Sequence, residues 1–280
     1  DRRRSSVFMP PCRSRRSETP VQHKKSTMQK AKLLQPDTII RRKKMTIYIC
    51  GDSTAATYPP ENAPITGWGQ LLGDYLPNVN VVNKAVGGCS TKSFLAEGRL
   101  MDIERTIQPG DLLLIQFTHN DTSDLVWRHT DPNTSFSANL EIYVDTARMH
   151  GAIPVLVTPI PRRYWRDGEL VDAHGAYPDA IRRLAKKRNI HLLDVTAESM
   201  AKFRQMGEEA TYPLYMNVEP GLYPAYPDGS KDDTHTQRAG AEFFAKMTAD
   251  MLILFSNSPA PSACAFSFEN SMKKHGMIGE

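Results

Sequence analysis

Two polar segments, far apart in the chain, contain the side-chain types of a serine nucleophile and its base. Near the beginning, Ser53 stands in the segment Gly51–Thr54 (GDST), where the glycine permits a sharp turn that would expose the serine hydroxyl. Near the end, Asp232 precedes His235 by three residues, a spacing at which a carboxylate can fold back to an imidazole and fix its tautomer. The residue types therefore predict nucleophilic catalysis, provided that folding brings the two segments together.

Two further segments contain groups that can stabilise a developing negative charge. Gly87 and Gly88 have no Cβ atom, so their backbone amides can approach a bound anion closely. Asn120, in the segment Thr118–Asp121 (THND), can donate amide hydrogens to an oxyanion. Losing such a donor typically lowers the rate by about 10²–10³-fold. These residues predict the electrostatic part of an acyl-transfer site.

Each of these segments also fits an ordinary structural role when it is taken alone. Asp52 or Ser53 could cap the next helix, and the paired glycines could form a tight turn between a strand and a helix. Asn120 could cap a turn, while Asp232 could stand at a helix N-terminus with His235 in solvent. The catalytic interpretation depends on all the segments falling at junctions of predicted elements along one edge of a sheet.

The elements that must hold these segments alternate between strand and helix. Short apolar runs predict strands at 46–50, 79–82, 112–115, 155–157 and 191–195. Apolar residues at every third or fourth position predict helices at 69–76, 139–150, 178–188 and 237–255. This alternation predicts a three-layer α/β/α sandwich with a central, mostly parallel five-stranded sheet. In such sheets ligands bind beyond the carboxyl ends of the strands, which is where the polar segments begin.

Charge is distributed unevenly along the 280 residues, whose net charge is +4. Residues 1–44 hold 14 of the 35 Lys and Arg residues but 3 of the 31 Asp and Glu residues, which leaves 21 basic and 28 acidic residues in the rest. We therefore predict a basic disordered arm over 1–44, a catalytic domain over 45–255 and a disordered tail over 256–280. Because the basic cluster lies outside the predicted domain, no nucleic-acid partner is expected.

The remaining composition argues against other classes of protein. The cysteines show no spacing typical of a zinc site or a disulfide framework. No run approaches the roughly 20 apolar residues of a membrane span, and the first residues lack the apolar segment of a secretory signal. We therefore expect a cytoplasmic protein without membrane contact, of undetermined oligomeric state. The cysteines stand at Cys12, Cys50, Cys89 and Cys264.

The order GDS, Gly-Gly, HND and Asp-x-x-His resembles the four sequence blocks of the SGNH (GDSL-like) hydrolases. The GDST form and the stretch 218–235 look most like rhamnogalacturonan acetylesterases, and the resemblance covers about residues 46–255. It implies a flavodoxin-like fold in which Ser53 is the nucleophile and His235 is the base, oriented by Asp232. It also implies an oxyanion hole made by the backbone amides of Ser53 and Gly88 and the side chain of Asn120.

The same resemblance implies that the chain removes acetyl groups from a rhamnogalacturonan- or pectin-type carbohydrate, through an acyl-enzyme and without a metal or organic cofactor. The tyrosines between Tyr212 and Pro227 lead into the Asp232 segment and are suited either to sugar rings or to surface packing. Two positions depart from the family pattern. Thr118 stands where glycine is usual and Cys89 stands where arginine is common, so the shape of the oxyanion site is expected to differ.

Four other interpretations stay open at this point. The substrate could be another small ester, or the chain could bind carbohydrate without hydrolysing it. Cys89, a glycine-flanked thiol at a predicted helix start, could be the nucleophile. A metal-dependent phosphoesterase is also conceivable, although the Asp-x-His pair typical after its first strand is missing. The possible ligands would be Asp52, His119, Asn120, Asp233 and His235.

Overall fold

The structure is a computed structural model that describes residues 44–257, in which strands and helices alternate. Its strands are β1 (Thr46–Gly51), β2 (Asn80–Asn83), β3 (Leu112–Gln116), β4 (Ile153–Val157), β5 (Trp165–Arg166), β6 (Glu169–Leu170), β7 (His191–Leu193), β8 (Tyr215–Val218) and β9 (Ser230–Thr236). Its α-helices are α1 (Trp68–Leu71), α2 (Thr91–Ala96), α3 (Arg99–Glu104), α4 (Ser135–Met149), α5 (Tyr177–Arg188), α6 (Val195–Met206), α7 (Glu208–Thr211) and α8 (Arg238–Asn257). Residues 1–43 of the predicted arm and 258–280 of the predicted tail lie outside the described residues.

The central sheet has the strand order β2-β1-β3-β4-β7, and every neighbouring pair is parallel. Strands β1, β3 and β4 are buried along their whole length, as expected for continuous apolar runs in a parallel sheet covered on both faces. The chain leaves β1 toward β2 on one side and later returns to β3 on the other. A crevice therefore opens between the carboxyl ends of β1 and β3, where open parallel sheets bind their ligands.

A separate hydrophobic core lies on each face of the sheet, because successive side chains of a strand point to opposite faces. Ile47 and Ile49 of β1 pack into a core shared with α1, α6 and α8, whereas Tyr48 and Cys50 pack into a core shared with α2 to α5. Each fully buried isoleucine contributes about 1.5–3 kcal/mol relative to an exposed one. Helices on both faces confirm the predicted α/β/α sandwich.

Local signals account for the places where the observed helices differ from the predicted ones. Val195, predicted to extend the last strand, instead begins α6, because the Asp194 carboxylate accepts a hydrogen bond from the Ala197 amide and caps that helix. The short helices α2 and α3 were not predicted, since six residues, fewer than two helical turns, present too little apolar periodicity. Among residues 44–257, no helix combines the length and apolarity needed to cross a membrane.

Candidate active site

Ser53 lies two residues beyond β1, on the edge of the sheet that borders the crevice. At Gly51 a Cβ atom would come within 2.7 Å of the Gln116 carbonyl oxygen of β3, so glycine allows the two strand ends to approach. The Asp52 carboxylate then accepts hydrogen bonds from the Thr54 amide (3.0 Å) and hydroxyl (2.7 Å), which closes the turn. Tyr58 donates to the Ser53 carbonyl oxygen at 2.8 Å. The backbone that carries the serine is therefore held from both sides.

The structure brings His235 to Ser53 across 182 positions of sequence: its Nε2 lies 2.9 Å from the serine Oγ. On the other side of the ring, Nδ1 lies 2.7 Å from Asp232 Oδ2. Burial opposes ionisation of this carboxyl, but hydrogen bonds from the imidazole and from backbone amides outweigh it and hold the pKa of Asp232 below its usual range. A charged carboxylate at Nδ1 leaves Nε2 as the acceptor for the serine hydroxyl.

A bulge in an antiparallel strand positions Asp232 and His235, rather than the start of a helix. Met216 of β8 pairs with Asp232 of β9, and Tyr215 pairs with Thr236, so residues 233–235 have no cross-strand partners. Within this bulge, Asp232 Oδ1 accepts hydrogen bonds from the backbone amides of Thr234 (2.8 Å) and His235 (3.0 Å). The three-residue spacing correctly predicted that the Asp232 carboxylate folds back to His235. It did not predict that a strand bulge makes this contact possible.

Three residues that sequence reasoning did not single out hold the bulge. Asn217 accepts from the Asp232 amide at 3.1 Å and donates to the Asp233 carboxylate at 2.8 Å. Arg162 donates to the Thr234 hydroxyl at 2.8 Å, and the backbone amide of Arg163 donates to the Asp233 carbonyl oxygen at 2.8 Å. Nothing in the local sequence marks these residues, because each contact joins separate parts of the chain.

The predicted oxyanion donors lie beside the serine. An ideal Cβ at Gly87 would be 3.8 Å from the Ser53 Cβ, and the next residue, Gly88, has a φ of +79°, which glycine adopts without strain. Asn120 donates through Nδ2 to the Cys89 carbonyl oxygen at 2.9 Å, which ties it to the glycine turn. Arg128 donates to Asn120 Oδ1 at 3.1 Å. The structure thus places the Gly87–Gly88 turn next to Ser53 and ties Asn120 to the same turn through Cys89.

A buried hydrogen bond links the GDST and THND segments. Asp52 Oδ2 lies 3.1 Å from His119 Nδ1, and both side chains are almost fully buried. Burial opposes the charged form of Asp52, yet the interaction with His119 and the hydrogen bonds from Thr54 lower its pKa to about 2. The residue after Asp52 is the candidate nucleophile and the residue after His119 is the candidate oxyanion donor. The contact between Asp52 and His119 therefore helps to set the position of Ser53 relative to Asn120.

Asp121 anchors the loop that carries Asn120 and was missed by sequence reasoning. Its carboxylate accepts hydrogen bonds from the Thr91 amide and hydroxyl and from the Thr130 hydroxyl. Burial raises the pKa of Asp121 to about 7, although these hydrogen bonds act to lower it. The position of Asp121 inside the THND segment was the available signal, since a fully buried carboxyl needs several partners.

The structure disfavours two of the alternative interpretations, a Cys89 nucleophile and a metal-dependent phosphoesterase. The Cys89 side chain is 3% exposed and packs in the core that faces α2 to α5, and burial raises the pKa of its thiol, so a Cys89 thiolate nucleophile is disfavoured. Within residues 44–257, no group of three or more His, Cys, Asp or Glu side chains is arranged to hold a metal ion. Two of the possible ligands, Asp52 and His119, are paired with each other.

The four tyrosines of the Tyr212–Pro227 segment have different environments. Tyr215 is fully buried and donates to the Pro161 carbonyl oxygen, so it is a core residue and cannot contact a sugar. Tyr212 lies under the guanidinium of Arg163, 5.1 Å from ring centroid to Cζ. Tyr212 is also 38% exposed, and Tyr223 and Tyr226, which pair through their backbones, are partly exposed, so three of the four tyrosines have surface accessible to a ligand.

Thr118 adopts a backbone conformation that favours glycine. Its φ is +153°, its side chain is fully buried, and its hydroxyl has no hydrogen-bond partner among the described residues. Such conformations cost a β-branched residue about 1–3 kcal/mol. The departure from the family pattern at this position therefore stores strain next to His119 and Asn120.

We expect Thr118→Gly to raise Tm by about 2–4 °C. The substitution relieves backbone strain and removes an unpartnered hydroxyl, and both changes stabilise the folded state. Glycine also gives the unfolded chain more conformational freedom, which lowers stability by roughly 0.4–1 kcal/mol. The net gain in the free energy of unfolding is about 1 kcal/mol. Thr158→Gly is the matched control, measured by the same thermal unfolding. Thr158 also follows a sheet strand and is buried, but its hydroxyl bonds Asp194, so its loss should lower Tm. An equal decrease in both variants would contradict the argument.

The parallel sheet carries Ser53 at the crevice between β1 and β3, and Ser53 is hydrogen-bonded to His235, which is hydrogen-bonded to Asp232. This combination defines the class of the protein: it is an ester hydrolase of the SGNH type. The family model described as "GDSL-like Lipase/Acylhydrolase family" matches residues 49–242, and the chain belongs to that family.

Individual relatives narrow the comparison. Over 211 residues the chain is 40% identical to rhamnogalacturonan acetylesterase RhgT of Bacillus subtilis (strain 168), a match covering 75% of this chain and 90% of the relative. It is 38% identical over 205 residues to the probable rhamnogalacturonan acetylesterase YesY of the same organism, covering 72% and 90%. The crystal structure of Bacillus subtilis YxiM superposes with a TM-score of 0.65 at 30% identity, covering 75% of this chain and 56% of that one. The chain thus spans little more than half of YxiM.

Proposed function

We propose that this protein is a serine carbohydrate esterase that removes acetyl groups from a rhamnogalacturonan- or pectin-type polysaccharide or its oligosaccharides. The observation that carries the proposal is the continuous hydrogen-bonded series from Ser53 Oγ to His235 (2.9 Å) and from His235 to Asp232 (2.7 Å). The names of the two relatives from Bacillus subtilis support the acetyl group and the class of glycan.

In the proposed mechanism, His235 Nε2 takes the proton of Ser53 as Oγ attacks the carbonyl carbon of a sugar acetate. When the tetrahedral anion collapses, the bond between the acetyl carbon and the sugar oxygen breaks, His235 gives the proton to that oxygen, and the acetyl group stays on the serine. His235 then deprotonates a water molecule, which attacks the acetyl carbon. As the bond to Ser53 Oγ breaks, His235 returns this proton to Oγ and acetate is released. Asp232 remains charged throughout and stabilises the imidazolium that forms twice in the cycle.

The negative charge of the tetrahedral anion is stabilised by three donors: the backbone amides of Ser53 and Gly88 and the side chain of Asn120. One hydrogen of Asn120 Nδ2 is used by the Cys89 carbonyl oxygen, so the second is the one that serves the anion. Because these donors are held before substrate arrives, no reorganisation is needed when charge develops.

The test is release of acetate from acetylated pectin, acetyl-xylan and a small chromogenic acetate, each assayed with and without a chelator. We expect release from acetylated pectin that is insensitive to the chelator. Release from the small acetate alone would point to another ester as substrate. Chelator-sensitive activity that survives Ser53→Ala would favour the metal-dependent alternative. Binding of pectin by folded protein without any release would identify a non-catalytic relative.

A further inference from the structure

The loop that follows Asn120 presents apolar side chains to solvent next to the candidate oxyanion hole. Leu125, Val126 and Trp127 are consecutive and are 49%, 80% and 53% exposed. Runs of exposed apolar side chains on a folded surface mark binding sites more often than chance. No described role of Ser53, His235 or Asp232 involves these three residues.

The exposure of this loop does not result from a lack of structure. Lys92 donates to the Val126 carbonyl oxygen at 2.7 Å, and the His129 amide donates to the Leu125 carbonyl oxygen at 2.8 Å. The Thr130 hydroxyl is bonded to Asp121 at 2.8 Å. The segment is therefore held at both ends and in the middle, which fixes the backbone that carries Trp127.

Arg128 joins the exposed indole to the oxyanion donor. Its Nη1 is 3.1 Å from Asn120 Oδ1, and its Cζ is 5.3 Å from the centre of the Trp127 ring. No carboxylate oxygen of the described residues lies within 4.0 Å of the Arg128 nitrogens, so its charge is not neutralised by an ion pair there. An unneutralised cation one side chain away from a developing oxyanion stabilises that charge.

Arg128 also selects the orientation of the Asn120 amide. A guanidinium can only donate hydrogen bonds and the Cys89 carbonyl can only accept them, so both partners place Oδ1 toward Arg128 and Nδ2 toward the glycine turn. With the amide reversed, Asn120 would present an acceptor, not a donor, to the anion. Arg128 is thus in a position to control whether the oxyanion hole is complete.

We propose that Trp127 and Arg128 form a substrate-binding element, in which the Trp127 indole stacks on a sugar ring next to the acetylated one and Arg128 positions Asn120 for catalysis. A broad aromatic face beside the reacting group suits the apolar face of a pyranose. The glycan part of this proposal rests on the proposed function, whereas the positioning part requires only ester hydrolysis. Arg128 is a positioning residue, since it acts through Asn120.

The experiment compares kcat and KM for acetylated pectin oligosaccharides and for a small chromogenic acetate. Trp127→Ala should raise KM for the oligosaccharides by roughly three- to tenfold and leave the small acetate unchanged. Trp127→Tyr should restore most of the affinity. Arg128→Gln should lower kcat on both substrates by on the order of 10–100-fold without raising KM for the small acetate. Arg128→Lys, which keeps the charge, should lose less.

The matched control is Arg166→Gln. Arg166 also lies over an exposed aromatic ring, that of Tyr164, at 5.6 Å, but it contacts no residue of the site, so both kinetic constants should be unchanged. Equal effects of Trp127→Ala on both substrates, or none on either, would overturn the stacking role. An Arg128→Gln variant with unchanged kcat would overturn the positioning role. If wild type hydrolyses the small acetate but no glycan ester, the proposed function fails, while the Arg128 result is still decided on the small acetate.

Discussion

Replacing Ser53 with alanine is expected to lower kcat for acetate release by on the order of 10⁶-fold, the loss typical of removing a catalytic serine. Without Oγ no acyl-enzyme can form, and the residual rate comes from the oxyanion donors and substrate binding alone. Apart from the contact with His235, the turn around Ser53 is held through backbone groups and the Asp52 carboxylate, so Ser53→Ala should fold and bind substrate as wild type does.

The double variant provides a sharper form of the same test. If Ser53 and His235 act as one unit, Ser53→Ala, His235→Ala and the combined variant should have similar residual rates, since removing the second member takes away nothing further. Steady-state kinetics on the small chromogenic acetate measure all three. Multiplicative losses, or a Ser53→Ala enzyme that keeps more than roughly a hundredth of the activity, would mean that the nucleophile lies elsewhere.

Asp232→Asn is expected to lower kcat by about 10⁴-fold while leaving the fold intact. The two backbone amides at Oδ1 can bond only to an acceptor, so the substituted amide must keep its oxygen there and place its NH₂ group at His235 Nδ1. Nδ1 then accepts a hydrogen, and the ring carries its own hydrogen on Nε2. In that tautomer His235 cannot take the proton of Ser53.

A matched control for this effect is Asp233→Asn in the same bulge. The Asp233 carboxylate faces Asn217 at 2.8 Å and Arg163 at 3.5 Å and does not contact the imidazole. We expect its kcat to stay within a few-fold of wild type, because only a partly exposed ion pair is weakened. Thermal unfolding should show both variants folded. Equal losses of kcat in Asp232→Asn and Asp233→Asn would indicate that the bulge geometry matters, and not the tautomer.

The two departures from the family pattern have different consequences in three dimensions. Cys89 directs its side chain into the core, so it contributes to the site through its carbonyl oxygen, which orients Asn120. Thr118 introduces a β-branched residue into a conformation suited to glycine. The first change therefore leaves the crevice unaffected by the thiol, whereas the second bears on stability next to the oxyanion donor.

The three inner strands β1, β3 and β4 could be predicted because each is buried on both faces, which leaves a continuous apolar run in the sequence. The outer strands β2 and β7 are partly exposed and were predicted from shorter apolar runs. The β8–β9 hairpin could not be predicted in the same way. Strand β9 reads SKDDTHT and contains no apolar run, since most of its side chains are polar and only partly buried. Its pairing with β8 is a long-range property that local periodicity does not record.

The types and chain order of the reactive residues were determined by the sequence alone. The placement of Ser53 and Asn120 just beyond β1 and β3 was too, because parallel strands bring their carboxyl ends to one edge of the sheet. Tertiary structure alone decided that the serine hydroxyl meets the imidazole at 2.9 Å, that a bulge presents Asp232, and that Arg128 donates to the Asn120 side chain. Side-chain direction depends on hydrogen-bond partners contributed by other segments. Those partners become neighbours only when the chain has folded.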